Sequence, residues 1–308
     1  MTTGDTTLHG LVHGILWPGF LGADAPDWLL RARDEGLAGA LLFAQNVVGG
    51  VGPASIGAAV GDHGFLVGID EEGGQVTRVQ ADGGSTLPTA AQLGRVDDPE
   101  ATRAVGRAIG GLAASVGANL VAAPVADVDV AAENPVIGAR AFGATADLVA
   151  RHATATTLGL ADAGVLACAK HWPGHGDTVV DSHHGLAVSA ASAAETEATH
   201  VAPFAAAIAA GVPAIMTAHV VVPGWERDVP ATHSAIALGR LREMGFDGAI
   251  VTDALDMQAV RVLGMGEAAV RALAAGADLL CVGNPANPGS EPAEQSFLAT
   301  RAALVDAV

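Results

Sequence analysis

One local pattern recurs along the chain and constrains its fold more than any other feature: a helical segment ends in glycine, and a short apolar run follows. Clear examples are AGVLACAK at 163–170, AGVPAIMTAH at 210–219, MGFDGAIVTD at 244–253 and AGADLLCVG at 275–283. Glycine is favoured just after a helix because it adopts the left-handed conformation there without strain. The apolar runs do not alternate with polar residues, which is typical of strands buried on both faces of a parallel sheet. The sequence therefore predicts repeated β/α units.

These units alternate along most of the chain. Strands are predicted near residues 10–16, 39–43, 65–69, 118–123, 165–169, 212–217, 248–252 and 277–282. Helices are predicted at 25–36, 98–115, 145–163, 192–210, 234–244, 257–275 and 291–306. This alternation predicts the α/β class and a (β/α)8 TIM-type barrel, with residues 1–308 as a single catalytic domain. A doubly wound open sheet is the alternative, and the lack of a G-x-G-x-x-G loop after the first strand weakens it.

Length and composition agree with a large buried core and narrow the choice of partners. The chain has 308 residues, of which 50% are hydrophobic and only 16% are charged. Its formal net charge is −18, and its 15 lysines and arginines form no run. Because nucleic acids and anionic membranes are bound by clustered basic residues, we expect neither as a partner. The sequence leaves the oligomeric state open.

The cysteines and the start of the chain favour a cytoplasmic location. Cys168 and Cys281 lie in apolar runs and are predicted to be buried free thiols, which is typical of a reducing compartment. The start, MTTGDTTLHG, lacks the basic and apolar regions of a signal peptide. No uninterrupted run of about 18 apolar residues predicts a membrane span.

Polar side chains follow the predicted strands, at the end where such barrels carry their active sites. In chain order these side chains are Asp70, Arg78, Asp127, Arg140, Lys170, His171, His219 and Asp253. Taken alone, Asp70 and Asp253 could cap local backbone groups, and His219 could be a core histidine. Lys170 ends an apolar strand and needs a partner, because an unpaired buried charge is costly. Their common position after strands indicates one site.

The segment KHWPGHGDTVVDSH at 170–183 is the richest in reactive side chains. Its proline and glycines predict an irregular loop that projects side chains into a cleft. Asp181 and His183 are two residues apart and lie on one side of an extended stretch, so the carboxylate can orient the imidazole for acid–base work. Zinc is the alternative, but neither H-E-x-x-H nor another recognised ligand spacing is present. We expect neither a metal nor a cofactor.

This loop closely resembles the loop that marks family 3 glycoside hydrolases of the β-N-acetylglucosaminidase type. The resemblance covers nearly the whole chain, because further segments resemble the family in the same order. They are GALLFAQN at 39–46, IDEEGGQVTRV at 69–79, APVADV at 123–128, IGARAF at 137–142, MTAHV at 216–220 and FDGAIVTDALDM at 246–257. The sequence is thus identified as a member of this family.

The resemblance implies a retaining enzyme that releases terminal β-linked N-acetylglucosamine, in murein or chito-oligosaccharide turnover. Asp253 would be the nucleophile that forms a glycosyl–aspartate intermediate, and His183 the general acid/base with Asp181 as its partner. The expected substrate-binding residues are Asp70, Arg78, Arg140, Lys170, His171 and His219.

Departures and rival activities accompany this interpretation. Gln75 stands where the family commonly has arginine, and His184 and Ala187–Val188 also depart from the family pattern. These departures bear on substrate preference more than on the reaction.

A phosphorylase on the same site is one alternative activity, because a neutral His183 would not repel phosphate. A metal-dependent hydrolase is another. A non-catalytic sugar-binding protein is disfavoured by the presence of Asp253 and His183, and a phosphosugar enzyme has only VGNPANPG at 282–289 as a phosphate loop.

Overall fold

A curled parallel sheet surrounded by helices forms the centre of the fold. The computed structural model describes residues 3–56, 64–182, 185–287 and 289–308. The strands are β1 (Leu16–Pro18), β2 (Gly39–Leu42), β3 (Leu66–Ile69), β4 (Leu120–Val121), β5 (Leu166–Trp172), β6 (Ala187–Val188), β7 (Ala214–Thr217), β8 (Val220–Val221), β9 (Ala249–Val251) and β10 (Leu280–Gly283).

All strand pairs in these ladders are parallel. The larger sheet has the order β2-β3-β4-β5-β7-β9, while β1 pairs with β10 and the short β6 pairs with β8. Isolated parallel bridges join Gly19 to Leu41 and Val251 to Leu279, so contacts continue from β1 to β2 and from β9 to β10. The α/β class and the parallel sheet are therefore confirmed.

Helices connect the strands. They are α1 (Thr3–His13), α2 (Asp27–Asp34), α3 (Ala90–Val96), α4 (Pro99–Ser115), α5 (Ala146–Asp162), α6 (Ala193–Glu195), α7 (Ala202–Ala209), α8 (Ala235–Glu243), α9 (Gln258–Arg261), α10 (Met265–Ala275) and α11 (Ala293–Asp306). A π-helical turn, Thr196–Val201, joins α6 to α7. The sequence determines where α4 begins: the Asp98 carboxylate accepts hydrogen bonds from the Glu100 and Ala101 amides, and Pro99 fits the first helical position.

The structure corrects the first predicted strand and the predicted helix 257–275, and it shortens the predicted strand 118–123 to Leu120–Val121. The first predicted strand, 10–16, is wrong over most of its length: α1 extends to His13, and β1 begins only at Leu16. A short apolar run has no period long enough to separate helix from strand. The predicted helix 257–275 is divided into α9 and α10, because Gly264 has a φ of 82° between them.

The apolar core has an inner and an outer layer. The inner layer fills the inside of the curled sheet and includes Trp17, Leu120, Met216 and both cysteines, while the outer layer lies between sheet and helices. A side chain at Gly68 would overlap the indole of Trp17, so this glycine makes room for the largest inner residue. The prediction of buried free thiols at Cys168 and Cys281 is confirmed.

Within the described residues, no helix combines the length and the apolar character that crossing a membrane would require.

Candidate active site

A cavity of about 200 Å³ opens where the strands end. Six of the predicted site residues line it, and they come from the end of β5 and from the segments after β3, β4 and β9. These six are Asp70, Arg78, Arg140, Lys170, His171 and Asp253. Parallel strands deliver their following residues to one rim, which is why segments distant in sequence meet here.

Lys170 is the centre of a charge cluster on one wall of this cavity. Its side chain is only 3% exposed, and Nζ lies 2.7 Å from both Asp70 Oδ1 and Glu72 Oε1. Arg140 forms a two-point ion pair with Glu72, with nitrogen–oxygen distances of 2.8 and 2.9 Å, and Arg78 Nη2 lies 3.4 Å from Asp70 Oδ2. The buried lysine therefore has the partners that its position in an apolar strand requires.

These pairs hold the cluster in its charged form. Burial works to raise the pKa of Glu72, but the charges of Arg140 and Lys170 outweigh it and lower the pKa to about 2. Burial likewise opposes ionisation of Asp70, whose pKa Lys170 and Arg78 hold well below its usual range. Burial also works against the charged Lys170, yet Asp70 and Glu72 raise its pKa. The wall thus presents fixed charges that can bind several hydroxyl groups.

His171 completes this wall and is held from behind by Asp127. The fully buried Asp127 carboxylate accepts a hydrogen bond from His171 Nδ1 at 2.7 Å. On the other side of the ring, Arg140 Nη2 lies 3.4 Å from Nε2. Because a guanidinium only donates, Nε2 accepts and Nδ1 carries the proton. Burial works to raise the pKa of Asp127, but its interactions with His171 and His175 lower it to about 2.

Asp253 lines the same cavity and lies two residues after β9. Its Oδ1 accepts the amide of Ala254 at 2.8 Å, and the residue is half-buried on the cavity wall. Asp256 has a different role: its Oδ2 accepts hydrogen bonds from Asn284, Asn287 and Ser290, so it joins this loop to the loop after β10. Asp253 is therefore the carboxylate of this segment that faces the cavity.

The loop after β5 brings His175 and Ser182 into the cavity wall. Of the predicted acid/base pair, only Asp181 is among the described residues, and it is half-buried. His183 and His184 lie outside the described residues. Asp177, in the same loop, is buried and accepts a hydrogen bond from the Ser189 hydroxyl at 2.5 Å. It therefore stabilises the loop rather than facing the cavity.

His219 is fully buried and does not line this cavity. Nδ1 lies 2.9 Å from Thr232 Oγ1, and Nε2 lies 2.9 Å from the carbonyl oxygen of Ala254. Its ring thus contacts the backbone that follows Asp253. This placement favours a supporting role over direct contact with substrate.

Glu72 was not among the predicted site residues, and Asp127 was placed at the rim of the site without a role, although both belong to segments that carry predicted residues. Glu72 lies in IDEEGGQVTRV and Asp127 in APVADV. The signal that could have identified them is the need of Lys170, Arg140 and His171 for buried acceptors.

Among the described residues, no group of three or more histidine, cysteine, aspartate or glutamate side chains is arranged to hold a metal ion. His183 and His184 are not covered by that statement, so the expectation of no metal stays a prediction.

Comparisons with known proteins identify the family of this chain. The family described as "Glycosyl hydrolase family 3 N terminal domain" matches residues 60–294. A "Beta-hexosaminidase" of Xylella fastidiosa (strain M23) is 38% identical over 280 residues, which cover 86% of this chain and 81% of that protein.

Two solved structures show the same fold. A family 3 β-N-acetylglucosaminidase from Paenibacillus sp. str. FPU-7 superposes with a TM-score of 0.89 at 37% identity, over 98% of this chain and 58% of that one. Zn-bound CbsA from Thermotoga neapolitana gives 0.80 at 26% identity, over 96% of this chain and 62% of that one. This chain therefore spans about three fifths of each solved chain. It belongs to glycosyl hydrolase family 3, and it is a glycoside hydrolase.

Proposed function

We propose that the chain is a retaining β-N-acetylglucosaminidase that hydrolyses terminal β-linked N-acetylglucosamine from murein fragments or chito-oligosaccharides. One observation carries the proposal: Asp253 and the Lys170 charge cluster line the same cavity. The sugar-specific names of the Xylella and Paenibacillus relatives support the choice of substrate.

In the first step, Asp253 attacks the anomeric carbon while the bond to the leaving oxygen breaks. His183, paired with Asp181, gives its proton to that oxygen. In the second step, water attacks the same carbon, its proton passes to His183, and the bond to Asp253 breaks. Asp70, Arg78, Arg140, Lys170 and His171 hold the sugar hydroxyls throughout.

We further propose that residues 1–308 form one closed (β/α)8 barrel domain. The support is the pair of isolated bridges that flank the β1–β10 ladder, together with the amide of Leu280, which donates to the carbonyl of Ile15 at 2.8 Å. A cytoplasmic location stays a prediction. The comparisons do not favour the phosphorylase alternative, because the relatives carry hydrolase names.

The test is a panel of 4-nitrophenyl β-glycosides of N-acetylglucosamine, N-acetylgalactosamine and glucose. We expect the highest kcat/KM on the N-acetylglucosaminide. Preference for the glucoside, or no release from any of the three, would overturn the proposal.

A further inference from the structure

A buried chain of hydrogen bonds connects the sugar-binding wall to the loop that follows β5. While Asp127 Oδ2 accepts from the His171 ring, its other oxygen, Oδ1, accepts the backbone amide of His175 at 2.7 Å. The His175 ring then reaches forward along the loop, where Nε2 lies 3.2 Å from the hydroxyl of Ser182. Asp127, His175 and Ser182 are each at most 2% exposed. We call these three residues the loop bridge.

The hydrogen positions in the loop bridge follow from its neighbours. The Thr178 hydroxyl donates to the carbonyl of His175 at 3.0 Å, so its oxygen accepts the proton of His175 Nδ1 at 2.6 Å. Burial lowers the pKa of His175, which keeps the ring neutral at neutral pH. The remaining nitrogen, Nε2, is then an acceptor, and Ser182 donates to it. Each bond thus has one donor and one acceptor.

The loop bridge ends beside the predicted acid/base. Ser182 lines the cavity and is the immediate neighbour of Asp181. Its backbone carbonyl also accepts the amide of Ala259 in α9 at 3.3 Å, so the segment is fixed at both its side chain and its backbone. A proton donor must be placed within about half an ångström of its productive position to be effective.

We propose that His175 is a positioning residue: through Ser182 it fixes the acid/base segment at Asp181 relative to the sugar held by His171. The inference rests on the proposed function. The positioning role predicts a selective defect. Loosening this segment impairs protonation of the leaving group, whereas the charge cluster and Asp253 keep their own partners.

The experiment compares Ser182→Ala with Ser189→Ala on two classes of β-N-acetylglucosaminide, one with an activated aryl and one with an alkyl leaving group. Ser189, just after β6, is a matched control, because it is also buried and its hydroxyl also donates to a residue of this loop, Asp177. An activated aryl group leaves with little protonation, and an alkyl group needs it. Melting temperatures verify that both variants are folded.

For Ser182→Ala we expect kcat/KM on the alkyl glycoside to fall between about tenfold and a hundredfold, with kcat/KM on the aryl glycoside nearly unchanged, because kcat/KM reports the step in which the leaving group departs. Ser189→Ala keeps the wild-type ratio of the two rates. His175→Gln, which retains an acceptor for Ser182, keeps more alkyl turnover than His175→Leu.

Equal losses of kcat/KM on both substrates in Ser182→Ala, or no loss on either, would overturn the inference. The wild-type assay separates the two claims. If the wild-type protein cleaves neither glycoside, the proposed function fails; if it cleaves both and the variants keep its ratio, only the positioning role fails.

Discussion

At the scale of single residues, Glu72 offers a direct test of the charge cluster. It shares Lys170 with Asp70 and pairs with Arg140, and its pKa of about 2 lies below the ordinary 4.5. The carboxylate therefore stabilises the fold above pH 4.5, and this contribution is lost as pH falls from there towards 2. We predict that Glu72→Gln lowers the free energy of unfolding at pH 6 by about 3–5 kcal/mol, because buried cations lose a partner.

The variant should also lose less stability between pH 6 and pH 3 than the wild type does. Urea unfolding at both pH values measures this. Glu243→Gln, at an exposed position in α8, is the control and should follow the wild-type profile. A Glu72→Gln profile parallel to that of the wild type would contradict the ionised state of Glu72.

His183, which lies outside the described residues, is proposed to be the general acid/base. We predict that His183→Ala lowers kcat/KM for alkyl N-acetylglucosaminides about 10²–10⁴-fold, and kcat/KM for activated aryl ones far less. Steady-state rates on a leaving-group series give the answer. A uniform loss across the series would mean that His183 binds or positions substrate instead of donating a proton.

Residues with a family counterpart were predictable from the sequence, and their buried partners were not. Asp70, Arg140, Lys170 and Asp253 follow strands within resembling segments, and all four line the cavity. Asp127 could not be assigned to His171 because the two residues are 44 positions apart and no local pattern connects them. Pairing across a sheet depends on strand order and register, which the local pattern does not contain.

At the scale of elements, the β5 loop rests on the segment after β4 through Gly176. A β-carbon there would overlap the carbonyl of Val128, and the Gly176 carbonyl accepts the amides of Val130 and Ala131, each at 3.1 Å. We predict that Gly176→Ala destabilises the protein by about 1–3 kcal/mol and reduces turnover, because the loop must shift.

The matched control is Gly239→Ala in α8, where the added methyl meets open space. Alanine should stabilise that helix by roughly 0.5–1 kcal/mol and leave turnover unchanged. Thermal unfolding measures the stability of both variants, and assays on an aryl glycoside measure their turnover. Wild-type activity and stability in Gly176→Ala would show that the loop contact is dispensable.

Two long helices were predicted to within one residue at each end, whereas the predicted helix 257–275 is divided in two. The predicted helix 98–115 is α4 (Pro99–Ser115), and the predicted 145–163 is α5 (Ala146–Asp162). The prediction of the first strand was wrong because residues 10–16 contain the end of α1 and the start of β1. The short β4 was predicted at 118–123 but forms ladder pairs only at Leu120 and Val121. Ladder pairing is a tertiary property, so strand ends are poorly encoded locally.

At the scale of the whole molecule, the proposed chemistry needs a carboxylate and an imidazole but no ion. The zinc-bound CbsA structure makes this worth testing directly. We predict that dialysis against EDTA leaves turnover unchanged and that elemental analysis finds less than one metal ion per chain. Activity lost on chelation and restored by added zinc would show that the β5 loop works as a metal site.

The central claim is that Asp253 forms a covalent bond to the sugar. An activated 5-fluoro N-acetylglucosaminide tests it most directly, because fluorine destabilises the oxocarbenium-like transition state and slows breakdown of the intermediate. After acid quenching and proteolysis, mass spectrometry locates the label, and Asp253→Asn, which lacks the nucleophilic charge, is the control. We predict one sugar per wild-type chain, attached to Asp253, and none on the variant. A label on another residue, or an unlabelled wild-type protein that releases product with inverted configuration, would contradict the mechanism.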